Sequence, residues 1–258
     1  MDFSDSSGYE RFMGRWSRAV APHFLQWIAP ARRRKWLDIG CGTGILAEAV
    51  LDLCDPLAVV GIDQSTAQVR QAERGPAGQR AIFQQAEATD LPFPDASFDI
   101  VVSALVLNFI PRPALAVQEM RRVARPGGVV SGYVWDFGKD LSPSGPLRRA
   151  MRSVGAEVPD IPGTAYSSEQ ALRSLLAEAG LRSIESRTID ITLAYSDFED
   201  FWGAQTPRYV PTTGIINAMS ESERRRLKRA VHDALAGGPG GKIEYSARVN
   251  AVRASAPR

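Results

Sequence analysis

At 258 residues the chain is long enough for one sizeable α/β domain with room for an elaboration. A hydrophobic content of 44% supplies a core, and 31 basic against 29 acidic residues leave a net charge of +2, without the bias of a nucleic-acid binder. Two cysteines exclude a disulfide scaffold, and no stretch approaches the roughly 18 apolar residues that a membrane span requires. Together with the polar run Met1 to Gly8, these features predict an unexported, cytoplasmic protein, monomeric or homodimeric, whose partner is a small molecule rather than nucleic acid or membrane.

In chain order, aromatic residues at Tyr9, Phe12 and Trp16 share one helical face, which serves either as core packing or as a lid made by residues 1–30. Trp36-Leu37-Asp38-Ile39 reads as an apolar strand running into Gly40, Gly42 and Gly44. A helix over Leu46 to Leu53 follows, then a strand at Ala58 to Ile62 ending on Asp63, a helix over about 65–74 and a strand at Arg80 to Gln84. Leu91 to Ser97, with two prolines and an aspartate, is a loop before the apolar strand Phe98 to Ser103. The helix Pro113 to Ala124 is stopped by Arg125-Pro126-Gly127-Gly128 ahead of a strand at Val129 to Trp135. Strand–helix units in series imply a parallel sheet wound right-handedly, with ligands at the carboxyl ends of its strands.

The remainder differs in character. Ser167-Ser168-Glu169-Gln170 resembles a capping box ahead of Leu172, Leu175, Leu176 and Ala179, and two strands alternate over Ile189 to Tyr195 and Ile243 to Ala251. Between those strands, Ser196 to Gly241 is too long for a turn and carries its own helix from Ser220, so it reads as an insertion.

The glycine segment points to a nucleoside cofactor. Alternating glycines let the backbone turn sharply and approach a ligand, and Asp63 at the tip of the next strand is placed to accept both hydroxyls of a ribose. Gly42-Thr43-Gly44-Ile45-Leu46-Ala47 also fits a dinucleotide pattern, the signature of an NAD(P)-dependent oxidoreductase. Against that register, Asp38 sets a carboxylate just before the loop, awkward beside a pyrophosphate and suited to a cation.

Leu37-Asp38-Ile39-Gly40-Cys41-Gly42-Thr43-Gly44 resembles motif I of the class I methyltransferases that use S-adenosylmethionine, whose sulfonium and α-ammonium are cationic. The resemblance extends over about residues 36–135, through Gln85 to Phe93, Ser103-Ala104-Leu105 and Pro126-Gly127-Gly128. It implies an α/β, doubly wound, mostly parallel seven-stranded sheet with an antiparallel last strand, an N-terminal helical lid and an insertion between the last two strands. The organisation expected is a lid over 1–30 and a cofactor-binding domain over 31–258, with substrate-cap segments at about 138–166 and 196–241. The cofactor contacts implied are Asp38, Gly40, Cys41, Gly42, Gly44, Asp63 and Gln64, with Glu87 on the adenine amino group and Ala88 as its backbone partner. Ser103 lines the homocysteine moiety, and Tyr9 meets the cofactor's carboxylate, as similar N-terminal segments do in relatives.

Methyl transfer to a small, apolar or aromatic metabolite is an in-line displacement in which positioning contributes roughly 7 to 11 kcal/mol. A base is needed only where the acceptor retains its proton. Many small-molecule members carry a histidine shortly after the fourth strand, where this chain has Leu107-Asn108-Phe109; Tyr133 and Asp136, near the end of the fifth strand, are the better-placed catalytic pair. A non-catalytic protein that binds S-adenosylmethionine remains the other reading. No metal-ligand spacing surrounds either cysteine.

Overall fold

The computed structural model describes residues 10–206, 211–235 and 242–258, with side chains from residue 12 onward. A π-helical turn, Glu10–Gly14, leads into α1 (Arg15–Ile28). The alternation expected for the first half then unfolds as β1 (Lys35–Ile39), α2 (Ile45–Leu53), β2 (Ala58–Asp63), α3 (Thr66–Arg74), β3 (Ile82–Gln85), β4 (Phe98–Ala104), α4 (Pro113–Val123) and β5 (Ala124–Trp135). After it come α5 (Gly145–Ser153), α6 (Glu169–Glu178), β6 (Arg182–Tyr195), α7 (Phe198–Gln205), α8 (Pro211–Ala218), α9 (Glu221–Ala234) and β7 (Ile243–Ser255). Among the described residues the insertion thus holds three helices, where one was expected.

The seven strands form one sheet in the order β3-β2-β1-β4-β5-β7-β6, parallel from β3 through β5. β7 is antiparallel: Ala256 donates to the Gly128 carbonyl and Ser131 donates to that of Val252, so partners descend on one strand as they climb on the other. The same reversal relates β7 to β6, where Ser255 donates to Arg182 and Arg253 pairs with Glu185. The strand order reverses between β1 and β4, and the crevice outside the carboxyl ends at such a switch point is where open α/β sheets hold ligands.

Register brings the strand ends level. Ile39 pairs with both Ile62 and Ser103, and Asp63 pairs with Gln85, so Asp38, Asp63 and Ser103 reach one edge of the sheet.

Local chemistry explains most boundaries. Ser65 caps α3 by accepting the Gln68 N–H, Ser168 caps α6 by accepting that of Ala171, and a full Ser220/Glu223 capping box starts α9. α4 stops where expected, at Val123 ahead of Arg125-Pro126-Gly127-Gly128, but the strand begins at Ala124 and not at Val129. These residues belong to β5, which slips register against β4 between Phe98 and Ile100, and Gly127 at φ +74° donates its N–H to the carbonyl of Ala256, just past β7. A bulge absorbs residues that a regular ladder would reject.

The chain divides into two compact units. The larger comprises residues 17–134, 162–189 and 249–258, the other residues up to 16 with 135–161 and 190–248. The larger has a core of Leu37, Ile39, Val101, Val117, Met120 and Leu176, with Val130 and Val252 from its antiparallel pair. The smaller has its own core, in which Leu147, Met151, Phe201, Ile216, Leu227 and Val231 pack with Tyr195 and Ile243.

Candidate functional site: an acid-tipped glycine loop

Everything in the glycine loop lies within the larger unit. Gly40, Gly42 and Gly44 all adopt left-handed backbone, at φ +72°, +54° and +86°, which explains why glycine alternates there. Gly40 is also constrained sterically: a Cβ there would stand 2.5 Å from Cγ2 of Val106. Phe83 closes on the loop from β3, leaving room for no side chain at Gly61. Gly44 starts α2 without a side-chain cap, so the first N–H groups of that helix lack a side-chain acceptor.

Asp63 ties this loop to the next. One carboxylate oxygen accepts the Gly42 N–H at 3.1 Å and the other accepts the Ser65 N–H at 2.9 Å. Each oxygen keeps a lone pair for a further donor, as two ribose hydroxyls require. Burial raises the Asp63 pKa, the two backbone N–H groups oppose that rise, and Glu87 adds to it.

Asp38 is the unusual group. It is only 2% exposed, and neither carboxylate oxygen has a hydrogen-bond partner among the described residues. Burial, reinforced by the charge of Asp63, pushes its pKa up to about 7. A buried carboxylate without a partner is costly to ionise, and a cation beside it would offset that cost.

The other expected residues occupy the same edge. Cys41 is a buried free thiol whose pKa burial raises well above its ordinary value. Ser103 is fully buried and donates to the Ile39 carbonyl at 3.1 Å. Gln64 is exposed, its carbonyl accepting from Gln85 at 3.0 Å. Glu87 is exposed and forms an isolated bridge with Asp90, while Ala88 is half-buried. Tyr9 lies outside the described residues.

Tyr133 and Asp136 fall in different units. Tyr133 is 1% exposed, its ring centroid 4.6 Å from that of Phe24 and its carbonyl accepting the Leu105 N–H. Asp136 is also buried, with Oδ1 accepting the Lys139 N–H at 3.2 Å. Both histidines, His23 and His232, are exposed. Phe12 and Trp16 are buried, and Trp16 meets Trp135 and Tyr245 edge to face, each at 5.9 Å.

Two contributors escaped the sequence reading. Val106 seals Gly40, a contact across 66 residues that no local pattern announces. Arg122 donates to the carbonyls of Leu91 and Phe93 and pairs with Glu119, which in turn accepts the Leu91 N–H, so the loop after Glu87 is clamped to α4. The Glu119-x-x-Arg122 spacing was a visible helical pair; its grip on the loop was not.

A sheet of this order, with an acid-tipped glycine loop at its switch point and a ribose-type acid on the next strand, defines the nucleoside-cofactor class of α/β proteins. Residues 37–131 match the family model described as a methyltransferase domain. The chain is 42% identical over 104 residues to a demethylmenaquinone methyltransferase of Roseiflexus castenholzii, covering 40% of this chain and 43% of that protein. It is 36% identical over 151 residues to a 27-O-demethylrifamycin SV methyltransferase of Amycolatopsis mediterranei, covering 56% and 53% respectively. The chain thus spans about half the length of these curated relatives. The YcgJ protein of Bacillus subtilis shares the fold, with a TM-score of 0.60 at 19% identity over 93% of this chain and 99% of that one. Residues 37–131 thus carry a methyltransferase domain, a domain type whose cofactor is S-adenosylmethionine.

Proposed function

We propose that the protein transfers a methyl group from S-adenosylmethionine to a small, apolar or aromatic metabolite. The observation that carries this reading is the buried, unpartnered carboxylate of Asp38 beside Asp63. It fits a cofactor bearing positive charge and no phosphate, whereas a dinucleotide would set its pyrophosphate against two acids. Small-molecule acceptors are also what the names of the two methyltransferase relatives describe.

When bound, the cofactor supplies a methyl carbon already activated by positive sulfur. In this reading Asp63 holds the ribose, Asp38 the positive charge, Glu87 and Ala88 the adenine edge, and Ser103 with the loop of Gly40, Cys41, Gly42 and Gly44 shapes the floor. Gln64 and Tyr9 complete the set proposed to touch the cofactor. A general base must reach its proton, and the burial of Tyr133 and Asp136 supports a framework role better than proton transfer. Catalysis therefore rests on holding acceptor and methyl group at near-attack distance. Residues 1–30 as a lid, with 138–166 and 196–241 as substrate-cap segments, belong to the same proposal; the separate core of the smaller unit supports reading them as a distinct piece. A cytoplasmic setting accords with two free thiols, Cys41 and Cys54. No helix among the described residues is long and apolar enough to cross a membrane.

Isothermal titration with S-adenosylhomocysteine tests the reading. Binding in the submicromolar to tens-of-micromolar range, on the order of 6 to 9 kcal/mol and lost in Asp63→Ala, is the expected result. Absence of binding to the wild type, or tight binding of NADH in its place, overturns it.

A further inference from the structure

The segment leaving β4 carries two features that the cofactor reading does not use. Leu105 is a non-glycine residue in left-handed backbone, at φ +63°, held there by donating its N–H to the Tyr133 carbonyl at 2.7 Å. Strained backbone of this kind persists only where its surroundings impose it, and it clusters at ligand sites. Three residues on, Asn108 is 2% exposed in a single 3-10 turn, Leu107–Phe109. Its Nδ2 donates to the Pro162 carbonyl at 3.3 Å, but Oδ1 is buried with no partner among the described residues. Turning the amide over would bring oxygen against the Pro162 oxygen, so the orientation is set by chemistry. The backbone is held as well, since the Asn108 carbonyl packs where any side chain on Gly163 would stand, and Gly163 itself has φ +68°.

This segment and the glycine loop belong to one unit and touch: Val106, between Leu105 and Asn108, is the residue that seals Gly40. A rigid, desolvated hydrogen-bond acceptor therefore stands at the carboxyl end of β4, next to the switch point. Natural structures leave few such atoms unsatisfied, and those that persist call for a donor.

Resting on the methyltransferase reading, we propose that Asn108 is the residue that positions the methyl acceptor, its Oδ1 accepting a hydrogen bond from a hydroxyl or amine N–H on that molecule. A carboxamide has no proton to exchange near neutral pH, so Asn108 orients the donor and does not deprotonate it. The lone pair of the acceptor forms the bond to the methyl carbon, the carbon–sulfur pair remains on sulfur as a neutral thioether, and the acceptor's proton leaves to water after transfer. The substrate class is thus a small aromatic or apolar molecule bearing an N–H or O–H donor, whose own acidity sets the pH dependence of the reaction.

Phenol, aniline and toluene test this as simple probes, the last matching phenol in size but lacking a donor. With S-adenosylhomocysteine bound, the wild type is expected to bind phenol or aniline about tenfold more tightly than toluene, the ratio a single hydrogen bond supplies. Asn108→Ala should reduce that ratio to about one without changing S-adenosylhomocysteine affinity. Asn108→Asp, of the same shape, should make phenol binding depend on pH between 5 and 8 where the wild type is flat; a purely structural residue would move neither readout. Should Asn108→Ala fail to fold, Asn108→Asp alone decides. A wild type that binds cofactor product but treats the three probes alike, or an Asn108→Asp profile as flat as the wild type, overturns the role of Asn108. Loss of S-adenosylhomocysteine binding by the wild type overturns the cofactor reading instead.

Discussion

The two units differ in how they treat buried polarity. The larger keeps an unpartnered carboxylate at Asp38, an unpartnered amide oxygen at Asn108 and a strained Leu105, all around strand ends that its register brings level. In the smaller, Phe201 meets Tyr195 at 5.1 Å edge to face, Arg15 lies 4.5 Å over the Tyr195 ring, and Leu227 and Val231 are fully buried. It too leaves buried polar atoms without a hydrogen-bond partner among the described residues: both amide atoms of Gln205, 1% exposed, the indole nitrogens of Trp16 and Trp135, and Nε of Arg148. The difference is one of kind: the larger unit leaves acceptors unpartnered beside the glycine loop, whereas in the smaller the unpartnered groups are mostly N–H donors around an apolar core. That contrast predicts which substitutions will separate folding from binding.

The largest effect on folding should come from the smaller unit. Leu227→Ala removes a fully buried side chain and is expected to lower unfolding free energy by about 2 to 5 kcal/mol in urea titrations. It should leave S-adenosylhomocysteine affinity within about twofold, because no atom of the glycine loop belongs to that core; a large loss of affinity in folded variant would break the comparison.

Asp38→Asn should do the reverse. The folded-state pKa of about 7 lies above the unfolded value, so the folded protein holds a proton that the unfolded chain gives up; stability is intact below about pH 4 and falls as pH rises to about 7. Removing the charge is expected to stabilise the ligand-free protein by up to about 4 kcal/mol at pH 8 and by little at pH 4, while weakening cofactor binding. Equal melting shifts at both pH values would contradict a buried, unpartnered acid. The same sign makes wild-type affinity for the cationic cofactor rise with pH through 7, with proton release detectable by titration in buffers of different ionisation enthalpy.

Asp63→Ala should cost at least about a hundredfold in affinity for S-adenosylhomocysteine, because two charge-assisted hydrogen bonds are lost and the Gly42 and Ser65 N–H groups lose their acceptor. The smallest effect sharpens the contrast. Gln205→Leu exchanges an unpartnered amide for an apolar group of similar size and should raise the melting temperature by a few degrees, on the order of 1 kcal/mol. Destabilisation there would show that Gln205 has a structural partner.

Much of the larger unit was legible because its signals are local. Alternating glycines correspond to three left-handed residues, Ser65 and Ser168 act as the caps their positions suggest, and Asp63 ends its strand as read. Other features were hidden because they depend on partners far along the chain. The packing of the Tyr133 ring on Phe24 is one, and the early start of β5, which takes in Pro126-Gly127-Gly128 beside β4, is another. In the insertion, Phe201 is buried in the core of the smaller unit, a placement that its own sequence neighbourhood does not announce.

Sequence by itself determined the cofactor loop, since left-handed backbone, strand periodicity and helix capping are set by residues within a few positions of one another. Only the tertiary structure decided which polar groups are left without partners. Whether Asp38 is solvated or desolvated, and whether the Asn108 oxygen meets a donor, depends on Val106, Pro162 and the strand register, contacts made between distant segments after the chain has folded. Burial and pairing, not residue type, single out those two side chains as the ones proposed to meet a ligand.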